Sequence, residues 1–465
     1  MSINAITGYL RGRGYKLPAD SWYTWIETFK AWYQGYVKNF HHYTVYNGTN
    51  EVGIDRYHLG MAKTICEDHA NLLLNEKVTI SAGSDEADIW LEELLTANNF
   101  YVRGNNLIEL AYALGTGAFV EYLDRKQEPI IDYIRGDMIF PLSWDNGRII
   151  ECAFGSLRRT PPPDSRDAYY IQLHRLEGEE YVIENVMLDA QAEGGELPLP
   201  EGIEPIVYTH SAEPLFQIVR PNIINNLDLD CPMGISVFGN AIDQLKGCDL
   251  IFDSYMQEFN LGRKRIIVPL SLAQIQMGKE GTIKPVFDPS DLEFYALASN
   301  DQTEQKITEI NMELRAEAHE VGLDRALDML GKKCGLGNGR YKFEAGTVKT
   351  ATEVISEKSE LYQNLKKNEI VLRAALEGMV RALAFLSGHP IGDVVIGFDD
   401  SVIEDAQATM NDNVTLVGAG LKSKLSAIMD IQHCDEAEAQ AELDRIDQEQ
   451  KVVDVDLSAI GGGEM

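Results

Sequence analysis

Apolar residues recur at steps of three and four over Trp22, Trp25, Ile26, Phe29, Trp32, Tyr33, Tyr36, Val37 and Phe40, the period of a helix with one buried face. A core-facing stripe accounts for them, with an aromatic binding platform as the other reading. A second helix is predicted from about Asp55 to Asn75, through Met61, Ile65, Ala70, Leu73 and Leu74. A strand at Val78–Ile80 follows, then a helix from Asp85 to about Leu114, broken near Phe100. From Gly117 the period changes to two. Ala118–Leu123 alternates, and Ile139–Trp144 and Arg148–Phe154 flank Asp145-Asn146-Gly147, a hairpin signal because Asn-Gly accepts the positive φ of a tight turn. Tyr169–Leu176 and Tyr181–Met187 predict a second hairpin, and Ala190–Glu204 reads as an exposed loop. Up to about residue 230 the pattern is α+β with a mainly antiparallel sheet.

Beyond that point two long helices bracket a small module. The first runs from Gly234-Ile235-Ser236 to about Leu261, and the second from about Thr303 to Leu330. Between them lie short strands at Ile266–Val268 and Phe294–Leu297, punctuated by Pro and Gly, so the layout suggests a stalk with a tip. Along the second helix, Glu309, Glu313, Glu317, Glu320, Asp324 and Asp328 would share roughly a third of the circumference. Like charges at i,i+4 oppose helix formation slightly. The stripe is either the solvated face of an acidic protein or an acidic wall with a purpose. Gly331 to Lys349 is by contrast Gly-rich and basic, through Lys332, Lys333, Arg340, Lys342 and Lys349; a linker and a phosphate-reaching loop both fit it. Thr350 and Glu353 have the spacing of a capping box and open a long helix to Ser387, stopped by Gly388-His389-Pro390. After a strand at Val394–Phe398, the tail from Ser401 to Val453 is helical in pattern and strongly acidic.

Charge narrows the function classes. Of 465 residues, 41 are Lys or Arg and 73 are Asp or Glu, giving −32, the opposite of a generic nucleic-acid-binding surface. Hydrophobic residues make up 45%, enough for a packed core. Met1–Lys16 lacks the apolar run of a secretory signal, and no stretch of 18 apolar residues predicts a membrane span. The cysteines at 66, 152, 231, 248, 334 and 434 form no C-x-x-C pair and read as reduced thiols. No H-E-x-x-H, G-x-S-x-G, Walker A or dinucleotide fingerprint occurs, and His433-Cys434-Asp435-Glu436 would point apart on a helix. An enzyme is therefore weakly supported by the residues themselves. Arg263, Lys264 and Arg265 follow at once on the end of the first long helix.

Five stretches carry a resemblance: Met61 to Asp68 with Leu72 to Val78, Ala113 to Phe119, Asp137 to Trp144, Pro232 to Phe238, and Thr350 to Val354. In this order and spacing the chain resembles the portal proteins of tailed double-stranded-DNA bacteriophages, in the branch of long-tailed phages of Gram-positive hosts. The resemblance implies an α+β portal fold assembled as a ring, usually of twelve subunits, at one capsid vertex. It implies a wing over residues 1–235, stem helices at 236–263 and 304–330, and a clip at 264–303. A channel loop at 331–349, a long wing helix at 350–390 and a short crown at 391–465 complete it. The implied role is a conduit for DNA packaging and ejection, not an enzyme. Its partners would be the packaging motor (terminase), the major capsid protein, head–tail connector proteins and passing DNA, with no membrane. The place would be the virion, after assembly in the host cytoplasm. The acidic stripe would then line the channel, the basic loop would touch DNA, Arg340 and Lys342 foremost, and Arg263, Lys264 and Arg265, at the stem–clip junction, could face DNA or a neighbouring subunit's acids. Another ring-forming connector protein, or a soluble acidic enzyme, is the alternative.

Overall fold

The computed structural model describes residues 3–46, 48, 50–75, 78–159, 167–190, 195–262, 265–269, 275–277, 283–285, 294–297, 308–311, 313–341, 351–398, 413–432, 439–440 and 442–445. These fall into two compact units, one ending at Ile396 and the other beginning at Gly397.

The first unit opens with α1 (Ile3–Gly12), α2 (Asp20–Tyr33) and a single turn, α3 (Lys38–His41). The helix expected from Trp22 to Phe40 is therefore two. Gly35 breaks it at φ 84°, and a Cβ there would lie 3.0 Å from the His58 ring. The first part of the aromatic stripe is core, since Trp22, Ile26, Phe29 and Trp32 are buried with Tyr23 beside them, while Tyr36 beyond the break is exposed. A hairpin that periodicity did not announce follows, β1 (His42–Tyr46) paired with β2 (Glu51–Asp55), and the helix expected from Asp55 begins only at Met61, after an irregular link at 56–60. Next come α4 (Met61–Leu73), β3 (Thr79–Ser81), α5 (Asp85–Ala97) and α6 (Phe100–Leu114). The break near Phe100 is at Asn99, which adopts φ 50°.

The strands that follow form two sheets. In chain order they are β4 (Gly117–Leu123), β5 (Pro129–Arg135), β6 (Ile139–Asp145), β7 (Arg148–Arg159), β8 (Asp167–Glu177), β9 (Glu180–Asp189), β10 (Glu196–Leu197), β11 (Ile206–Tyr208) and β12 (Phe216–Val219). The larger sheet runs β10-β9-β8-β7-β6 with β11 also on β9, all antiparallel; the smaller is β12-β4-β5. The expected Asn-Gly turn joins β6 to β7, with Asn146 at φ 46° and Gly147 at φ 76°. Phe216 of β12 meets Phe154 and His174 of the larger sheet at ring separations of 5.2 and 5.5 Å, which ties the two layers together. On its helical side, Phe119 of β4 packs on Phe100 of α6, at 5.9 Å.

Two segments far apart in sequence close this unit. Gly115, at φ 88°, lies so near Gly234 that a Cβ on either would fall within 2.3 Å of the other's carbonyl oxygen. Around that contact Thr116 Oγ1 accepts from the Gly234 N–H (3.0 Å), and the Tyr112 carbonyl accepts from Val237 N–H (2.9 Å) and Ser236 Oγ (3.2 Å). The Ala113–Phe119 and Pro232–Phe238 stretches are thus one structural element.

A long helix, α7 (Ile242–Leu261), then leads to β13 (Arg265–Pro269), β14 (Ile275–Met277), β15 (Ile283–Pro285), β16 (Phe294–Leu297) and β17 (Thr308–Ile310), and α8 (Ala316–Lys333) returns. β13 pairs parallel with β16 and antiparallel with β17, and β14 pairs with β15. The second long helix is therefore shorter and later than its expected 303–330 span. Ile307, Ile310 and Leu314 fit a helical period, but Thr308–Ile310 is a strand because it finds a β-branched partner in Ile266 and Ile267. The long α9 (Ala351–Ser387) follows and covers β12 and β4, ending where Gly388 takes φ 64°. A short strand, β18 (Val395–Gly397), comes next, as expected from Val394–Phe398.

In the second unit, residues 413–418 and α10 (Lys424–Gln432) are helical, as the tail's pattern predicted. His433-Cys434-Asp435-Glu436 and most of the acidic run to Glu449 lie outside the described residues.

Candidate functional site

The stalk foreseen in the sequence is an antiparallel helix pair that continues into a strand pair. Arg315 faces Glu258, His319 faces Ser254, and Gly322 lies against Ile251, so each step forward on α8 is a step back on α7. Beyond the helix ends the same register continues, with Ile310 opposite Arg265 and Glu309 opposite Ile266. Leu323, Leu327 and Leu330 form the buried stripe of α8, each contributing about 1.5–3 kcal/mol of burial. Arg315 holds Glu258 through Nε (3.0 Å) and Nη2 (2.8 Å), and that pairing draws the Glu258 carboxyl down to about 2. His319 is held at both ring nitrogens, Nδ1 by the Arg315 carbonyl (2.8 Å) and Nε2 by Ser254 Oγ (3.1 Å), so its orientation is fixed.

This geometry revises the acidic stripe. Glu309 lies on β17 and Glu313 in the link between β17 and α8, so six carboxylates do not share one helix. Glu317, Glu320, Asp324 and Asp328 do, within roughly a quarter of the circumference. Glu317 and Glu320 are exposed; Asp324 and Asp328 are half-buried. The helix starts at Ala316, which puts Glu317 in the first turn, where the helix dipole favours an anion. Lys332 and Lys333 stand in the last turn, where it favours cations. Part of the charge pattern is therefore helix chemistry.

The basic loop is also more structured than its composition suggests. Lys332 and Lys333 belong to α8 and are exposed. After them the chain turns tightly through Gly335, Gly337 and Gly339, all at positive φ. Leu336 N–H donates to the Gly331 carbonyl (2.9 Å), and Gly339 N–H donates to Asp328 Oδ1 (2.9 Å). One member of the acidic stripe thus caps this turn. The turn is then pinned to α4. Arg340 grips Asp68 through Nε (3.3 Å) and Nη2 (3.0 Å), and Tyr341 donates its hydroxyl to Asp68 Oδ2 (2.7 Å). His69, buried, donates from Nε2 to the Cys334 carbonyl (3.0 Å); burial lowers it to about 4, so it stays neutral. Burial and the Asp68 carboxylate push the Tyr341 phenol up, and Asp68 raises Arg340. Arg340, a foremost DNA contact on sequence, is committed to a carboxylate of its own chain.

Lys342, Lys349, Arg263 and Lys264 lie outside the described residues, and Arg265 is placed only by its backbone, opposite Ile310. Asp68 and His69 were visible in the sequence only as part of the Met61–Asp68 stretch and its neighbour. Nothing local marks them as an anchor for residues 334–341.

A second carboxylate anchor secures α7. His41 accepts the Val37 N–H at Nδ1 (2.7 Å) and donates from Nε2 to Asp249 Oδ2 (3.1 Å), while Asp249 Oδ1 takes the Leu59 N–H (2.8 Å) and Asp253 the Tyr57 N–H (3.0 Å). Among the described residues no three His, Cys, Asp or Glu side chains are disposed to hold a metal, and no helix is long and apolar enough to cross a membrane.

A family model described as phage portal protein, SPP1 Gp6-like, matches residues 20–454. The chain belongs to that portal protein family. Portal proteins are structural components of bacteriophages at the head–tail junction, and the family is not enzymatic. No curated protein matches the chain. Among solved structures, a chain in the neck of a native GTA particle, computed with C12 symmetry, is 12% identical. It covers 80% of this chain and 89% of its own length at a TM-score of 0.36, a likeness too low to carry weight. Four of the five stretches that carry the portal resemblance have a structural task here: the α4 anchor, the paired Gly115 and Gly234 segments, and Asp137, buried between Lys30 (2.7 Å) and Arg135 (2.6 Å). The fifth begins at Thr350.

Proposed function

We propose that this protein assembles as a ring at one capsid vertex, the conduit for DNA packaging and ejection, and that the motor, the capsid and the head–tail connectors bind around it. The observation that carries the reading is the antiparallel α7–α8 pair running into the β13–β17 ladder, in a chain that the portal family model spans almost completely. On this reading α7 and α8 are the stem, β13 to β17 the clip, and residues up to 235 with α9 the wing. The notional channel loop at 331–349 then begins in the last turn of α8, 391–465 is the crown, and the branch is that of long-tailed phages of Gram-positive hosts.

Exposed Glu317 and Glu320, repeated around a ring, would repel phosphate and let DNA pass without sticking. Many Lys or Arg contacts would instead hold DNA through counterion release. Lys332 and Lys333 are the exposed described cations nearest the loop, and with Lys342 and Lys349 they supply its transient backbone contacts. Arg340 takes the part of an anchor at the loop's base. The motor would hydrolyse ATP on another protein, so this chain needs no cofactor.

Native mass spectrometry with negative-stain imaging tests the reading. Twelve copies of 51.9 kDa give a particle of about 620 kDa with a central hole. A monomer that persists at every concentration, with or without capsid and scaffold proteins, overturns it.

A further inference from the structure

Two adjoining clefts form one groove along α9. The larger, about 470 Å³, lies between α9 and the β6–β7 turn; the smaller, about 210 Å³, lies beside the 220–234 segment, and Arg220 and Val371 line both. Three of its apolar side chains are unusually open to solvent: Ile370 at 66%, Ile224 at 79% and Leu229 at 79%. A contiguous apolar surface of this kind marks an interaction site. Its charge is as distinctive. Arg148 and Arg220 are its charged residues, and no carboxylate lines either cleft, in a chain with 73 acids. Arg220 donates to the Pro232 carbonyl (2.6 Å), and neither arginine forms an ion pair with a described residue.

Helix α5 carries the complementary pattern. Ile89 is 64% exposed, and Glu86, Glu92 and Glu93, three or four residues away, surround it on the same face. The helix is firmly formed, since Ser84 Oγ accepts the Ala87 N–H at its start. Its outward face is thus an apolar knob within a ring of carboxylates. The groove offers exposed apolar side chains beside two guanidinium groups that no carboxylate neutralises.

We propose that α5 of one copy docks in the α9 groove of the next, with Ile89 seated against Ile370 and Leu229 and the glutamates facing Arg148 and Arg220. The inference rests on the ring reading and names the surfaces that make the ring. It joins two different patches, so it is head-to-tail, the kind of contact that closes into a ring when the rotation permits. Charge complementarity selects a second copy over a basic or neutral partner.

Paired cysteines in the full-length chain test it. In a Cys231→Ser background, which removes the native thiol lining the groove, Ile89→Cys with Ile370→Cys, both at exposed positions, should give a ladder of covalent oligomers with a short bis-maleimide, and neither single variant should. Arg148→Glu should raise the protein concentration needed for ring assembly roughly tenfold, and Glu92→Arg in the same chain should lower it again. Rings that form normally in Arg148→Glu and give no ladder in the paired variant overturn the proposal. So do normal rings of Arg148→Glu that lose a head–tail protein, which would make that protein the occupant. Failure of the unaltered chain to form rings, even with capsid and scaffold proteins present, refutes the portal-ring reading itself, and is seen before any variant is made.

Discussion

Glu121 lies on β4 with no exposed surface, and neither carboxylate oxygen has a hydrogen-bond partner. Its neighbours across the strand pairs are Leu215, whose carbonyl takes the Glu121 N–H (3.1 Å), and Ile131. Burial in that apolar layer pushes the carboxyl up from its ordinary 4.5 to about 8. The folded protein therefore keeps a proton that the unfolded chain releases. Stability from this group is fully present below pH 4.5 and is lost as pH rises through the window to about 8, beyond which the loss is complete. At about 1.4 kcal/mol per pH unit, the loss is about 3 kcal/mol at pH 7 and about 5 kcal/mol at pH 8 and above. Glu121→Gln keeps the shape and an unpartnered polar group but cannot ionise. Urea unfolding of both proteins at one low concentration, between pH 5 and pH 8, isolates the difference. The variant should gain on the parent by about 4 kcal/mol across that range. Parallel curves, with a difference that stays constant within about 0.5 kcal/mol, would refute the buried, proton-holding carboxyl.

Four further outcomes are expected. His174, unpartnered between Phe154 and Phe216, is lowered to about 3 by burial, so the folded state resists a proton that the unfolded chain takes up below pH 6.5; the stability advantage of His174→Phe should grow by about 2 kcal/mol between pH 7 and pH 5 in urea unfolding. Gly115→Ala should cost more than about 4 kcal/mol, because a positive φ and a backbone clash coincide, while Gly247→Ala, in α7 with nothing within 4 Å, should stabilise by about 1 kcal/mol. Soluble yield and urea midpoints read both. Asp68→Ala releases Arg340 and Tyr341 together, costing about 2 kcal/mol and speeding tryptic cleavage after Arg340; unchanged cleavage would count against the anchor. Glu317→Lys with Glu320→Lys should leave rings intact but make them retain DNA at low salt and release it at high salt, and rings that package normally would remove the acidic-channel reading.

The α+β class, the β6–β7 hairpin, the break between α5 and α6 and the long α9 were legible because short-range chemistry governs each. Asn146-Gly147 meets the φ that its turn demands, and Asn99 meets the φ of a helix junction. The start of α8 was not legible. Ile307, Ile310 and Leu314 satisfy a helical period, and the choice of strand over Thr308–Ile310 was made by Arg265–Ile267 on the far side of the tip. The same limit hid the partner of Arg340. On the resemblance it was a DNA contact on a basic loop, but Asp68, 272 positions away, pairs with it. Local sequence by itself determined where the backbone turns and which faces are apolar. Tertiary structure alone decided which charges are spent on partners within the chain and which remain on the surface, because a carboxylate's partner is set by proximity in space and leaves no period in the sequence.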